Sequence, residues 1–533
     1  MTPLNRRSVL GLGAAAGAGL VIPTTAAAAV PAAVPAAVPA APAFGSANFV
    51  RGNRPTLTHG VQSGDVGARG GVLWSRADTT SRLVAEISAD ESFRRARPVN
   101  GPVVTATSDF TGELKVDGLE AGRDYFYRIR AVDPDDPRRG SAWEIGRLRT
   151  APAGRQDIRF LWSGDIAGQG WGANPDFGGF RIAPAMAARE ADFFLSSGDN
   201  VYADGPVTAT VTLPDGRVWK NIVTEEKHKV AETLTEFRGQ FAYNLLADNW
   251  RAFLAQTPIV AQWDDHEVTN NWYPGEILPD DGRYTERRVD VLAARARQAF
   301  HEYIPVGDAS PDPDGRIYRK LSYGPLMDLF VLDMRTHKDA NTANTETTAD
   351  GGVLGERQTA WLLRELAASR ATWKVIAADL PIGLVVPDGP LQEGLAQGDG
   401  GAPLGRELDI AKVLTGLKRL GIRNHVWLTA DVHYTAAHSY HPDRAAYQDF
   451  DPFWEFVSGP LNAGAFGPNK LDATFGPAAE FVAAPPAANT SPADGFQFFG
   501  EVEIDGRTQQ LTVTLRDIDG GALFTKTLDP SFR

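Results

Sequence analysis

Apolar positions along this chain keep two different rhythms, and the change falls near residue 150. Before it, short runs separated by turns alternate inward and outward positions. Val72–Ser75, Leu83–Ile87, Glu113–Val116 and Tyr125–Ala131 read as strands. After it, stretches with apolar residues three and four apart predict helices over Phe180–Ala191, Glu225–Ala255, Glu286–Tyr303, Glu356–Ser369 and Arg406–Leu420. Between them lie continuous apolar runs of buried-strand length. That alternation predicts a layered α/β core. Near the end, Phe496–Ile504 and Gln510–Arg516 read as strands paired around Asp505-Gly506, with a further strand at Leu523–Thr527. They are expected to extend the core sheet, whereas 435–495 reads as loop-rich, shaping a pocket mouth or forming ordinary surface loops.

The chain divides accordingly into 1–43, 44–150 and 155–533. Leu119, a turn at Gly122 and Tyr125 entering a strand resemble the tyrosine corner of an immunoglobulin or fibronectin type III sandwich. Residues 44–150 are therefore read as a small all-β sandwich without catalytic residues. Its Ser63-Gly64-Asp65 is read as a turn, and His59 as a strand-edge histidine. Upstream, Arg6-Arg7 precedes a weakly apolar Gly/Ala run ending near Ile22, which resembles a twin-arginine export signal. The Ala/Pro/Val tract at 24–43 reads as cleavage region and extended linker. A secreted protein that uses the twin-arginine machinery is expected, with no permanent membrane anchor. A Sec signal is the competing reading.

The candidate chemistry lies where the apolar runs of the second domain stop. Six of them end in aspartate: at Asp165, Asp199, Asp264-Asp265, Asp333, Asp379 and Asp431. If such strands share a sheet and a direction, their ends set many carboxylates along one edge. Like charges held that close repel and raise each other's pKa, and multivalent cations remove the penalty. The plain alternative, an Asp capping the loop that follows, is expected for Asp333. Among nine histidines, only His266 and His433 fall just beyond a strand and within two residues of such an Asp. His228 and His301 fall in helical stretches.

Composition narrows the metal. There is no cysteine, which removes disulfides, thiolate nucleophiles, zinc–thiolate sites and iron–sulfur clusters. Hard cations and ferric iron are left. The net charge of −13 argues against nucleic acid and anionic membrane as electrostatic partners.

The ordered set Gly164-Asp165, Gly198-Asp199-Asn200-Val201-Tyr202, Trp263-Asp264-Asp265-His266-Glu267 and Asp431-Val432-His433 resembles the calcineurin-like metallophosphoesterase pattern. Tyr202, three residues after Asp199, resembles purple acid phosphatases. Trp-Asp-Asp-His-Glu with Asp-Val-His is most similar to the PhoD-like alkaline phosphatase/phospholipase D family. The resemblance implies a four-layer β-sandwich flanked by helices (α+β). It implies a secreted hydrolase of phosphate mono- or diesters, phospholipids included, that uses a metal-activated water. It also implies one Fe³⁺ site from Asp165, Asp199, Tyr202 and His433, and a Ca²⁺ site from Asp199, Asp265 and Asp431. His266 is implied as the group that contacts the phosphoryl and protonates the leaving oxygen. Better-known members carry a cysteine at the first iron-ligand block where this chain has Asp165, which leaves Mn²⁺ or Zn²⁺ as alternatives. Asp379 and Asp204 are candidates for a third metal. The reading from a different class is a non-catalytic extracellular calcium-binding or adhesion protein.

Overall fold

The computed structural model describes residues 54–307, 315–348 and 352–532. The export signal and linker lie outside the described residues.

Two sheets pack face to face. The larger has nine strands, in the order Ala522–Leu528, Leu511–Asp517, Phe498–Ile504, Ile158–Ser163, Phe193–Ser197, Ile259–Gln262, Leu57–Gly67, Gly70–Ala77 and Thr111–Val116. The smaller has seven: Arg319–Tyr323, Met327–Val331, Trp373–Ala377, His425–Thr429, Phe453–Val457, Thr435–Tyr440 and Pro477–Ala483. The expected C-terminal strands are present and extend the larger sheet. The region 435–495 does not match its reading as loops, because it supplies the last three strands of the smaller sheet. Its many Pro and Gly residues mark the connections between those strands.

Continuous apolar runs suit strands buried on both faces. Phe160, Trp162, Leu195 and Val260 point between the sheets, against Leu329, Val375, Leu428 and Phe456. The alternate residues Leu161, Phe194 and Ala261 point outward, onto Phe237, Trp250, Phe253 and Phe300. Those four belong to the helices Leu234–Asn244, Asp248–Gln256 and Val289–Tyr303. On the far side, Phe330, Ile376 and Trp427 are covered by Leu362 and Val413 of the helices Gly355–Ala368 and Glu407–Leu420. The result is four layers, helix–sheet–sheet–helix.

The single helix expected over Glu225–Ala255 is two. The first begins where Thr233 and Glu236 form a reciprocal capping box, with Glu236 Oε2 accepting the Thr233 N–H at 2.8 Å. Before it, Lys227 turns inward and donates to the Tyr202 carbonyl at 2.9 Å. A buried lysine held by a loop carbonyl is incompatible with the regular face of a surface helix.

The N-terminal sandwich has a four-stranded sheet of Arg97–Val104, Ser81–Ser88, Asp124–Val132 and Glu144–Arg149. The tyrosine corner is present: Tyr125 Oη accepts the Glu120 N–H at 3.0 Å. The opposing sheet of this sandwich is the edge of the nine-stranded sheet itself. Gly64 pairs in parallel with Ile259, which makes the sheet continuous. Ser63-Gly64-Asp65 is thus not a turn but lies inside the strand Leu57–Gly67, at a shift in register. Asp65 takes a left-handed φ of 44° there and accepts two hydrogen bonds from Arg319, both 2.7 Å.

Candidate metal centre

The six Asp-terminated strands divide three and three between the two sheets, and the loops after them meet. Asp165, Asp199 and Asp264-Asp265 follow strands of the larger sheet. Asp333, Asp379 and Asp431 follow parallel neighbours in the smaller one. The loops are knitted by backbone hydrogen bonds: Ile166 N–H to Asp199 O at 3.0 Å, Ala203 N–H to His266 O at 2.8 Å, and Asn462 N–H to Asp165 O at 3.1 Å.

Asp165, Asp199, Asp431 and His433 all have left-handed backbones, with φ of 66°, 48°, 63° and 60°. Such conformations cost about 1–3 kcal/mol for a non-glycine residue and persist where surrounding structure over-determines them. Gly198 allows a close approach of two loops. Its φ is 84°, and a Cβ there would collide with Cβ of Asp264 in the adjoining loop. Gly459 is likewise required, since a Cβ would strike Oδ2 of Asp165.

Three groups of ligand-type atoms result, each with its atoms within 4.8 Å of one another: Asp165, Asp199 and His433; Asp199, Asp265 and His266; Asp264, Asp265 and Asp431. All seven residues are buried. Tyr202 joins the first group. Its hydroxyl is 2.8 Å from His433 Nε2 and 3.5 Å from Asp165 Oδ1, and His433 Nε2 is 3.2 Å from Asp165 Oδ1. The structure therefore brings Asp165, Asp199, Tyr202 and His433 to one point. Asp199, Asp265 and Asp431, also singled out in the sequence, are spread over two adjacent groups that share Asp265.

The electrostatics are those of carboxylates crowded out of water. Burial, then Asp265, Asp165 and Glu267 nearby, hold the Asp199 carboxyl well above the usual carboxylate range, against the pull of His266. Asp264 is raised well above its usual value by burial and by Asp379, Asp265 and Asp431, against the pull of Arg335. Burial pushes Asp379 to about 7. His266 is opposed by its own burial, but Asp204, Asp265 and Asp199 raise it to about 10.

The donor set fits hard cations. It is oxygen-rich, contains one phenol and two imidazoles, and holds more buried negative charge than its neighbours neutralise. The buried Oδ1 of Asn271, whose own N–H binds Asp265 Oδ2 at 2.5 Å, has no hydrogen-bond partner. Orphaned oxygens of this kind are what a cation would satisfy.

Several residues at the site were not legible in the sequence. Asp204, singled out only as a candidate for a third metal, holds His266, with Oδ1 at 2.6 Å from Nδ1. The other ring nitrogen, Nε2, is buried without a hydrogen-bond partner. Glu267 braces two loops. Its Oε1 accepts the Asn200 N–H at 2.6 Å and its Oε2 accepts the Asp264 N–H at 2.8 Å. Arg335 lies fully buried among Asp264, Asp379 and Glu393. The available signal was its place two residues after Asp333. That aspartate does act as a turn cap, accepting from Thr336 N–H at 2.9 Å. Of the histidines set aside, His301 lies on its helix and bonds the Gly315 carbonyl at 3.0 Å.

Comparison with known proteins agrees with this geometry. Residues 160–515 match the PhoD-like phosphatase family, and residues 43–152 match the N-terminal domain of PhoD-like phosphatases. The chain belongs to the PhoD-like phosphatase family. It is 28% identical over 442 residues to alkaline phosphatase D of Bacillus subtilis (strain 168), covering 78% of this chain and 70% of that protein. A solved structure of PhoD superposes with a TM-score of 0.66 at 22% identity, covering 90% of each chain. A purple acid phosphatase from yellow lupin superposes with a TM-score of 0.53 at 12% identity, over 90% of this chain and 75% of that one. The fold is metallophosphoesterase-like.

Proposed function

We propose that this protein is an exported, metal-dependent phosphoric ester hydrolase that acts on phosphomonoesters and phosphodiesters, phospholipid head groups included. The observation that carries the reading is the convergence of Tyr202, His433, Asp165 and Asp199 on one point, beside a second ligand group of Asp199, Asp265 and His266 that shares Asp199. Family membership supports phosphate ester chemistry, and the paired arginines Arg6-Arg7 support export. No described helix is long and apolar enough to cross a membrane.

In this reading Asp165, Asp199, Tyr202 and His433 hold a ferric ion, and Asp199, Asp265 and Asp431 hold a calcium ion. When bound, such a pair supplies positive charge to the phosphoryl oxygens and an activated water at neutral pH. The chain's own residues set the rest. Asp199 belongs to both sites and fixes their spacing. His433 is oriented through Nδ1, which lies 2.5 Å from the Gly464 carbonyl. That contact turns Nε2 towards Tyr202 and Asp165, as an outer hydrogen bond does for a ligating imidazole. His266, held by Asp204, keeps a proton at Nε2 for the leaving oxygen.

The test is elemental analysis of the purified protein, paired with assays on an aryl phosphomonoester and an aryl phosphodiester. Asp199→Ala is expected to lose hydrolysis and metal together; full activity with normal metal content would sink the assignment. A ferric–tyrosinate pair absorbs visible light, so Tyr202→Phe should bleach the colour. A colourless, iron-free and active wild type would refute the iron reading and leave the two-metal reading standing.

A further inference from the structure

Of the three ligand groups, the one formed by Asp264, Asp265 and Asp431 consists of carboxylates alone. It is also the group into which a protein cation reaches. Arg335 has no solvent exposure, and its Nη2 contacts Asp264 Oδ1 while lying 3.8 Å from Asp265 Oδ1 and 3.7 Å from Asp431 Oδ1. One nitrogen thus faces one oxygen of each of the three carboxylates. The rest of the guanidinium is occupied at its edges. Nε donates to Asp264 Oδ1 at 2.5 Å and lies 3.6 Å from Asp379 Oδ2, and Nη1 donates to Glu393.

These distances fall into two classes. Asp264 and Glu393 are bound by hydrogen bonds. Asp265 and Asp431 are at ion-pair distance, too far for a hydrogen bond. Arg335 therefore offsets the charge of the latter two without occupying the lone pairs a metal would use. Its position is fixed from the loop it serves: Asp333 Oδ1 accepts the Arg335 N–H at 3.1 Å and the Trp263 indole N–H at 2.9 Å. Trp263 immediately precedes Asp264. A planar guanidinium that stays charged when buried suits this role better than an ammonium, whose pKa falls readily.

We infer that Arg335 is a resident cation of this centre. It takes the place of a third metal among Asp264, Asp265 and Asp431, and keeps Asp265 and Asp431 directed to the metal they share with Asp199. It is a positioning residue, and the inference rests on the metal-dependent reading above.

The test is metal content of the purified full-length chain, equilibrated with calcium and then passed into metal-free buffer. Wild type, Arg335→Lys and Arg335→Met are compared. Arg335→Lys, whose buried ammonium loses its charge more readily, should fall between wild type and Arg335→Met, and Arg335→Met should hold one additional divalent cation per chain. Adding Asp264→Asn to Arg335→Met should abolish that extra ion. An unchanged or lower content in folded Arg335→Met overturns the inference. If Arg335→Met does not accumulate folded, the double variant decides. Its recovery with wild-type metal content supports the charge role; its failure to fold assigns Arg335 a packing role and overturns it. A wild type that holds no metal at all would instead refute the metal-dependent reading, which is a separate result.

Discussion

One hydrogen bond decides what His266 can offer a substrate. Asp204 lies at 2.6 Å on Nδ1 and, with Asp265 and Asp199, raises the ring pKa to about 10 against its burial, so Nδ1 donates to Asp204 and a second proton sits on Nε2. The ring packs on Tyr202, with centroids 4.2 Å apart, and its N–H on the backbone donates to Asp199 Oδ1 at 3.2 Å. Asp204→Asn should reduce kcat about 10–100-fold, the usual cost of losing such an orienting partner, and leave metal content intact. The loss should be greater for an alkyl phosphate than for a nitrophenyl phosphate, because a good leaving group needs no proton. Equal losses on both substrates would remove the proton-donor role. His266 was legible because it follows a strand-end Asp directly. Asp204 was not, because 62 residues of chain separate the partners and only the fold brings them together. Arg335 was hidden for a related reason: its neighbour Asp333 caps a turn, and the significance of the turn is where it sends the arginine.

At the scale of the elements, the strand-end loops are held by side chains that act on backbone. Glu267 shows this most clearly. One carboxylate accepts the Asn200 N–H, the Asn200 side-chain amide at 2.7 Å and the Asp264 N–H, and so ties the Asp199 loop to the Asp264-Asp265 loop. Glu267→Ala would orphan buried donors, each at about 1–3 kcal/mol. The thermal midpoint should fall and metal affinity should weaken, with excess metal restoring part of the midpoint. A variant of unchanged metal affinity would reduce Glu267 to a fold-stabilising residue. That six strands end in aspartate was visible from the apolar runs. Their division between two sheets was not, because periodicity gives burial on both faces and not the identity of the neighbouring strand. Nor were the left-handed backbones of Asp165, Asp199, Asp431 and His433 visible, since tertiary contacts impose them against local preference. The helix expected over Glu225–Ala255 failed for the same kind of reason: Lys227 is drawn inward to the Tyr202 loop.

Across the whole molecule, the N-terminal sandwich and the catalytic layers share a sheet, and the sequence boundary near 150 divides what folding joins. The junction is fixed by a buried ion pair. Arg319, in the edge strand of the smaller sheet, is held by Asp65 and donates to the Ala261 carbonyl at 2.9 Å. Removing one partner of such a pair typically costs about 3–5 kcal/mol, because the other charge stays buried. Asp65→Asn should lower the midpoint of a single unfolding transition, and Asp65→Asn with Arg319→Met should recover much of it. Two separate transitions would show the sandwich to be an independent unit. Charge at the centre makes the last expectation. Asp199 and Asp264 are held above their unfolded values in the metal-free chain, and Asp379 is raised to about 7. A carboxyl whose folded pKa exceeds its unfolded pKa makes the folded state bind more protons. Its contribution is therefore present at low pH and lost as pH rises through the folded value. Chelated protein should lose thermal stability as pH rises from about 4, the free carboxyl value, through about 7. Bound cations replace those protons, so the metal-loaded protein should not follow it, and the gap between the two should widen with pH. The measurement is the unfolding midpoint with and without chelator across that range. A gap that stayed constant would mean that these carboxyls are not what the metal neutralises.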